Sequence, residues 1–303
     1  METQYFKTLM TVVNTASFSK AAAELCITQS AVSQRIKFME ELYGHQLIDR
    51  SGTLLVITEA GRVVLAKAER ILLFEREILK DLAKISGNQR LSLCCTPTFG
   101  VVYLPQVLSS FLLEHSFSVD LKFIFLTPDQ SVKGLSENEY DLAVIEHCDE
   151  INFSDFTTFA LPKDELVFIT APQNTSSAKG LQLNELMSLR LITRKEGCSS
   201  RRRLELNLQE NGLSLNDFES MVILDDLRLT IQTVISGGCV AFVSRSLVHS
   251  QLNARVLCGH KIDDFCHLRH RTLLINRNRG VPKLVESFLE SLNRVFYETT
   301  VVA

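Results

Sequence analysis

The chain has no tryptophan, only six prolines in 303 residues, and no excess of either charge, with 32 basic side chains against 35 acidic ones. That near-neutral balance excludes a uniformly basic nucleic-acid binder, though not a locally basic one. No window of about 18 uninterrupted apolar residues occurs, so no membrane-spanning helix is expected. The opening METQYFKTLM is too mixed for a secretory leader. Cys26, Cys94, Cys95, Cys148, Cys198, Cys239, Cys258 and Cys266 form no CxxC pair and sit mostly in apolar runs. This usage points to reduced thiols in a cytoplasmic protein rather than to a disulfide framework. GxSxG, P-loop, GxGxxG and HExxH patterns are missing, and His260, His267 and His270 lack a fixed metal-ligand spacing. No enzyme, cofactor or metal is therefore expected.

What is present is enough apolar material, 46% of the residues, to fill more than one core. The length suits two or three units. Charge is unevenly spread, with twelve basic and ten acidic residues in 1–90 and twenty against twenty-five in the remainder. The front of the chain is the part that leans towards a polyanion.

Phe6, Leu9, Met10 and Val13 recur at helical spacing over 2–15. Ser19 is placed to cap a short helix ending near Leu25, and Thr28 to cap another running to Tyr43, which Gly44 closes. QLIDRSGTLLVIT reads as a short hairpin around Ser51-Gly52. Thr58 then opens a helix of about seven turns with Val64, Ile71, Phe74, Ile78, Leu82 and Ile85 along one stripe. After SGNQR the texture changes. Runs such as LSLCCT, VDLKFIF, DLAVIE, ELVFITA, RLITR, MVILD, CVAFVS, RVLC and TLLIN alternate with helical segments, the pattern of βα units. A last helix opens at Pro282 and carries Leu284, Val285, Phe288, Leu289 and Leu292.

Projected at 100° per residue, the helix after Thr28 turns Val32, Ile36, Met39 and Tyr43 to one side. Ser30, Ser33, Gln34 and Lys37 fall on the other, with Gln29 at the N-terminal tip. A polar helix face is most often merely a solvated one. Here it comes tip first, after three small residues (Ala21 to Ala23) that let the preceding helix lie close. Glutamine can bond adenine bidentately, serine reaches several base edges, and lysine holds a phosphate or guanine. Helix, short turn, helix is an arrangement that reads DNA. Arg50 and Arg62 flank the hairpin, where a wing would meet backbone phosphates or the minor groove.

SFSKAAAELCITQSAVSQRIKFMEELYGHQLIDRSGTLLVITEAGRVVL resembles the winged helix-turn-helix of LysR-type transcriptional regulators. The resemblance is carried by Ser-Phe-Ser, Ala21-Ala22, Leu25, Thr28-Gln29-Ser30-Ala31-Val32-Ser33, Ile36, Glu40, Leu47, Arg50 and Thr58-Glu59-Ala60-Gly61. Gln34 stands where the family usually has arginine, with Arg35 next; Ile48 replaces a phenylalanine, and Ser244 a proline.

The resemblance implies an α+β multidomain fold. A winged helix-turn-helix (1–58) and a linker and dimerisation helix (59–88) would precede a two-lobed α/β effector domain (91–303) like the type 2 periplasmic binding proteins. Lobe I would hold 91–162 and 265–303, and lobe II 163–264. It implies partners too. These are double-stranded DNA with an imperfect palindrome, a second copy in a dimer and by family likeness a tetramer, a small anionic effector, and RNA polymerase where the regulator activates. Thr96, Pro97, Thr98, Glu146, His147, Cys148, Cys198, Ser199 and Ser200 are placed by the same likeness at the effector cleft. An alternative is a thiol-based redox or metal-responsive regulator of the same fold. Cys198, at a helix start before Arg201, Arg202 and Arg203, has the setting of a lowered pKa. Asn207 stands where a resolving cysteine would be needed.

Overall fold

A computed structural model describes residues 2–50, 55–85, 89–115, 119–148, 151–174, 181–277 and 283–298. The chain divides into two compact units, Met1–Gly87 and Asn88–Ala303.

In the first unit, α1 (Thr3–Thr15) buries Phe6, Leu9 and Val12, while Met10 and Val13 pack partly against the same core. Ala16, at φ 47°, ends it in a left-handed turn. The next helix, α2 (Phe18–Glu24), begins two residues earlier than a Ser19 cap would place it; Ser17 caps it by accepting from the Lys20 N–H. Ala21 and Ala22 are buried as the close-approach argument requires, but Ala23 is exposed. Thr28 caps α3 (Gln29–Tyr43) through the Ala31 N–H, and Gly44 closes it at φ 69°. Val32, Ile36 and Met39 are fully buried, whereas Tyr43 is 37% exposed because the last turn runs past the core. β1 (Ile48–Asp49) and β2 (Val56–Ile57) pair antiparallel; the expected Ser51-Gly52 tip lies outside the described residues. Thr58 accepts from the Gly61 N–H at the start of α4 (Glu59–Ile85). This helix gives Ala68 and Leu72 to the core, but Ile71, Phe74, Ile78 and Leu82 remain 40–60% exposed. The Ile85 side chain lies outside the described residues.

The second unit alternates strands and helices. In chain order these are β3 (Gln89–Cys95), α5 (Pro97–Val102), α6 (Leu104–Glu114), β4 (Val119–Phe125), α7 (Pro128–Ser136), β5 (Leu142–His147) and β6 (Phe156–Thr170). Then come α8 (Leu183–Met187), β7 (Arg190–Thr193), α9 (Ser199–Glu210), β8 (Ser220–Ile223) and α10 (Leu227–Ile235). The last are β9 (Cys239–Ser244), α11 (His249–Asn253), β10 (Cys258–His260), β11 (Leu268–Asn276) and α12 (Lys283–Asn293). Pro282, expected to open α12, lies outside the described residues. Among the described residues the sheet order is β4-β3-β5-β11-β6-β9-β7-β8, with β10 beside β6.

β6 makes this one sheet out of two. Its first half pairs with β11, and Leu166 to Thr170 pair with β9. β3, β5 and β9 are buried on both faces, which is why they read as unbroken apolar runs. On β3, Leu91, Leu93 and Cys95 face α5, α6 and α12, while Cys94 faces the opposite core around Leu135 and Tyr140. On β9, Val240 and Phe242 face α9 while Ala241 and Val243 face α10. Two strands differ from expectation. The first half of β6 shows no apolar run in the sequence because its side chains are largely exposed and include Pro162 and Lys163. RVLC is displaced, because Arg255 adopts φ 56° in the turn after α11 and the strand starts only at Cys258.

Candidate functional site

The tip of α3 is built to present polar groups. Gln29, Ser30, Gln34 and Lys37 are exposed, and Ser33 is half-buried. The Ser19 hydroxyl donates to Gln29 Oε1 across the turn at 3.1 Å, a bond that does not use the amide NH2. The Ser30 and Thr28 hydroxyls lie 2.9 Å apart. Lys37 reaches Glu41 one turn on at 3.6 Å, an exposed pair that constrains it little. Arg35 points the other way. It donates to Thr8 Oγ1 at 3.2 Å and Gln4 Oε1 at 2.8 Å, so it fastens α3 to α1 and takes no part in the polar face.

The hairpin is tied to this helix by one carboxylate. Glu40 Oε1 accepts from the backbone N–H groups of Leu47 and Ile48 at 2.9 and 3.2 Å. Its Oε2 takes Arg50 Nη2 at 3.3 Å, and the Arg50 guanidinium lies 4.7 Å from the Phe18 ring centre. Arg50 is thus oriented from two sides, while Arg62 is exposed on the first turns of α4.

In the second unit a cleft of about 680 Å³ opens at the carboxyl ends of the strands, where open α/β sheets place ligands. Thr96, Pro97, Thr98, Glu146, Cys198, Ser199 and Ser200 line it. His147 and Cys148 do not. His147 is buried, with Nε2 3.0 Å from Thr272 Oγ1 and its ring against Phe153 and His270. The Cys148 thiol donates to the Ser199 carbonyl at 3.2 Å, behind the wall.

The wall also includes residues that the sequence pattern did not single out: Thr127, Arg194, Lys195, Asp225, Asp226, Arg228, Gln251 and Arg269. Thr127 and Asp226 cap α7 and α10, so the N-termini of α7, α9 and α10 all end on the cleft. Free amides and helix dipoles there favour negative charge. Asp225 accepts from Arg194 at 2.7 Å and pairs with Lys195 at 2.7 Å. Burial raises its carboxyl, but those two partners outweigh burial and leave its pKa lowered. For Arg269, burial alone would lower the pKa, and Glu146 and Asp164 more than reverse it. The guanidinium stays charged.

The cysteines correct the thiol reading. Burial outweighs Arg194 and Lys195 at Cys198 and raises its pKa instead of lowering it. Cys94, whose thiol burial pushes up to about 12, sits in a strand core, as do Cys95 and Cys239. Asn207 spans to the Cys266 backbone with two bonds of 3.0 Å, a loop clamp.

A helix-turn-helix with a bared polar face, followed by a cleft-bearing α/β unit, defines the class of ligand-responsive DNA-binding regulators. Residues 3–62 match the family described as bacterial regulatory helix-turn-helix protein, lysR family, and residues 86–296 match the LysR substrate binding domain. The chain belongs to the LysR family and is a DNA-binding transcriptional regulator with an effector-binding domain. It is 27% identical over 294 residues to an HTH-type transcriptional regulator of Methanocaldococcus jannaschii, covering 96% of this chain and 98% of that one. It is 28% identical over 300 residues to a protein of Cyanophora paradoxa named "Probable RuBisCO transcriptional regulator", covering 97% and 91%. The structure of full-length CbnR in complex with its target DNA superposes with a TM-score of 0.60 at 18% identity, over 97% of this chain and 100% of that one. Among the described residues, no helix is long and apolar enough to cross a membrane.

Proposed function

We propose that α3 enters the major groove with Gln29, Ser30, Ser33, Gln34 and Lys37, and that Arg50 and Arg62 hold the backbone on either side. The domains then run as 1–58 for the reader, 59–88 for a dimerisation helix and 91–303 for the effector domain, with lobe II at 163–264. The exposed stripe Ile71, Phe74, Ile78 and Leu82 is covered by a second copy, giving a dimer that reads two half-sites of an imperfect palindrome. Dimers pair further into a tetramer, RNA polymerase is contacted where the protein activates, and the protein works in the cytoplasm. CbnR, seen with its target DNA, supports the reading of the first unit.

The effector is a small anion in the cleft, held by Thr96, Thr98, Ser199 and Ser200, with Pro97, Glu146 and Cys198 shaping the wall. The observation that carries this is the convergence of three helix N-termini with Arg194, Lys195 and Arg269 on one cleft. His147 and Cys148 stand behind that wall and support it from there. Binding is coupled to DNA affinity reciprocally. Fluorescence polarisation on the gene's own upstream region tests the reader. Lys37→Glu with Ser33→Ala should weaken binding and lower the salt slope by about 1 for the lost phosphate contact. Unchanged binding by the folded double variant would place the reader elsewhere.

A further inference from the structure

At the cleft wall and behind it lies a group of four buried charges whose mutual pairing the effector reading does not explain. Arg269 and Arg271 project from β11 and are each 2% exposed; Glu146 ends β5, and Asp164 lies where β6 passes between the half-sheets. Both carboxylates are fully buried. Two cations against two anions leave the group neutral; three of its members lie on β5 and β11 of the first half-sheet, and Asp164 lies on β6, the strand that joins the two halves. Arg269 and Glu146 also line the cleft.

The two arginines are held differently. Arg271 donates from Nε and Nη2 to Glu146 Oε1 at 3.2 and 3.0 Å and from Nη1 to the Pro162 carbonyl at 3.0 Å. Its guanidinium lies 4.5 Å from the Tyr103 ring centre, so it is fixed on every side. Arg269 donates from Nε to Asp164 Oδ2 at 2.8 Å and from Nη1 to the Ser199 hydroxyl, on the first turn of α9, at 2.7 Å. Its Nη2 sits 2.7 Å from Asp164 and 3.1 Å from Glu146, yet makes no hydrogen bond of proper geometry to either. A buried N–H group left in that state gains a full charge-assisted bond when a better-placed acceptor arrives.

Resting on the anionic-ligand reading of the cleft, we propose that Arg269 is its switch. A carboxylate seated at the first turn of α9 draws the Arg269 guanidinium off Glu146. Glu146 does not become an unpaired buried charge, because Arg271 and the Thr96 hydroxyl, 2.9 Å away, still hold it. The pair between β11 and β5 is thereby exchanged for a pair to the ligand. Ser199 moves with Arg269, which carries the exchange from the strands into α9. The ligand class is a small carboxylic acid, whose planar group matches the guanidinium fork.

The test titrates the full chain with sodium acetate, succinate and citrate, with sodium sulfate as a comparison, ionic strength being matched with chloride. Melting temperature reports binding. At least one carboxylate should raise the wild-type melting temperature, and Arg269→Gln should weaken that acid about 10- to 100-fold, the range of one charge-assisted hydrogen bond. Glu146→Gln, which leaves Arg269 in place but removes its competitor's charge, should bind the same acid more tightly. Equal responses from wild type and Arg269→Gln would leave the cleft reading standing and refute the switch. Should Arg269→Gln not fold, Glu146→Gln decides, since unchanged or weaker binding by that variant refutes the switch as well. If sulfate alone stabilises the wild type, the cleft reading stands and the carboxylate switch is refuted; if none of the four anions does, the cleft reading fails and takes the switch with it.

Discussion

Replacing Glu40 by alanine isolates the joint between the reading helix and the hairpin. Leu47 and Ile48 are 0% and 1% exposed, so their N–H groups have no ready access to water once Glu40 Oε1 is gone. Each buried donor left unpaired costs about 1–3 kcal/mol. The ion pair to Arg50 adds little, since that side chain is 37% exposed and such pairs are worth about 0–1 kcal/mol. Alanine's better helix propensity returns a few tenths of a kcal/mol, roughly. The expected loss is about 2–6 kcal/mol, concentrated in the hairpin. Hydrogen exchange of the Leu47 and Ile48 amides reads it directly, and about 2 kcal/mol corresponds to about 30-fold faster exchange through local opening. Glu40→Gln keeps an acceptor oxygen and should lose no more than about 1 kcal/mol. Arg50→Ala should leave both amides nearly as protected as before while weakening DNA binding. If Glu40→Ala exchanges at the wild-type rate, or Arg50→Ala exposes the amides equally, the carboxylate is not what holds the hairpin.

The other predictions concern separate regions. His260 Nδ1 accepts from the Leu181 N–H and its Nε2 lies 2.8 Å from Thr170, so burial keeps the ring neutral and its pKa below the ordinary 6.5. Its stabilisation is therefore whole above pH 6.5 and falls as acid protonates the unfolded chain first, by at most about 1.4 kcal/mol per pH unit. Melting curves from pH 7.5 to 5.5, as conditions chosen roughly to bracket that range, should be flatter in His260→Gln. A Cβ on Gly61 would lie 2.2 Å from the Leu47 carbonyl oxygen, so Gly61→Ala should unseat α4 from the hairpin and lower the stability of the first unit in calorimetry. Phe74→Glu with Ile78→Glu puts charge on the exposed stripe of α4. Light scattering should show dissociation with the helical circular dichroism kept; an unchanged mass would mean that the copies meet elsewhere.

How legible the chain was depended on how far apart the partners lie. Caps and faces within a helix are local, so Thr28, Gly44, Thr58, Val32, Ile36 and Met39 could be read from spacing alone. The cap of α2 slipped from Ser19 to Ser17 because both serines flank the same start and only the backbone decides. The strands of β3, β5 and β9 were legible because burial on both faces makes them uniformly apolar. The first half of β6 carried no such mark, although it is the strand that joins the two half-sheets.

The cleft shows the same limit more sharply. The segments at its mouth follow strand ends, so their hydroxyls were findable from alternation and family likeness. The charges behind them were not, because Glu146 meets Arg271 across 125 residues and Asp164 meets Arg269 across 105. One local signal was available: LRHRTLLIN places two arginines two residues apart in a strand that is otherwise apolar at its far end. On a strand that spacing puts both on one face, and a buried face must supply them with carboxylates. The pattern therefore announces that acidic partners exist and leaves only their addresses to the fold. That the partners turn out to be a cleft residue and a strand-crossing residue follows from β11 being paired with β5 on one side and β6 on the other. β6 then runs on to pair with β9, so Asp164 is the member of the group through which a change of charge pairing on β11 reaches the second half-sheet.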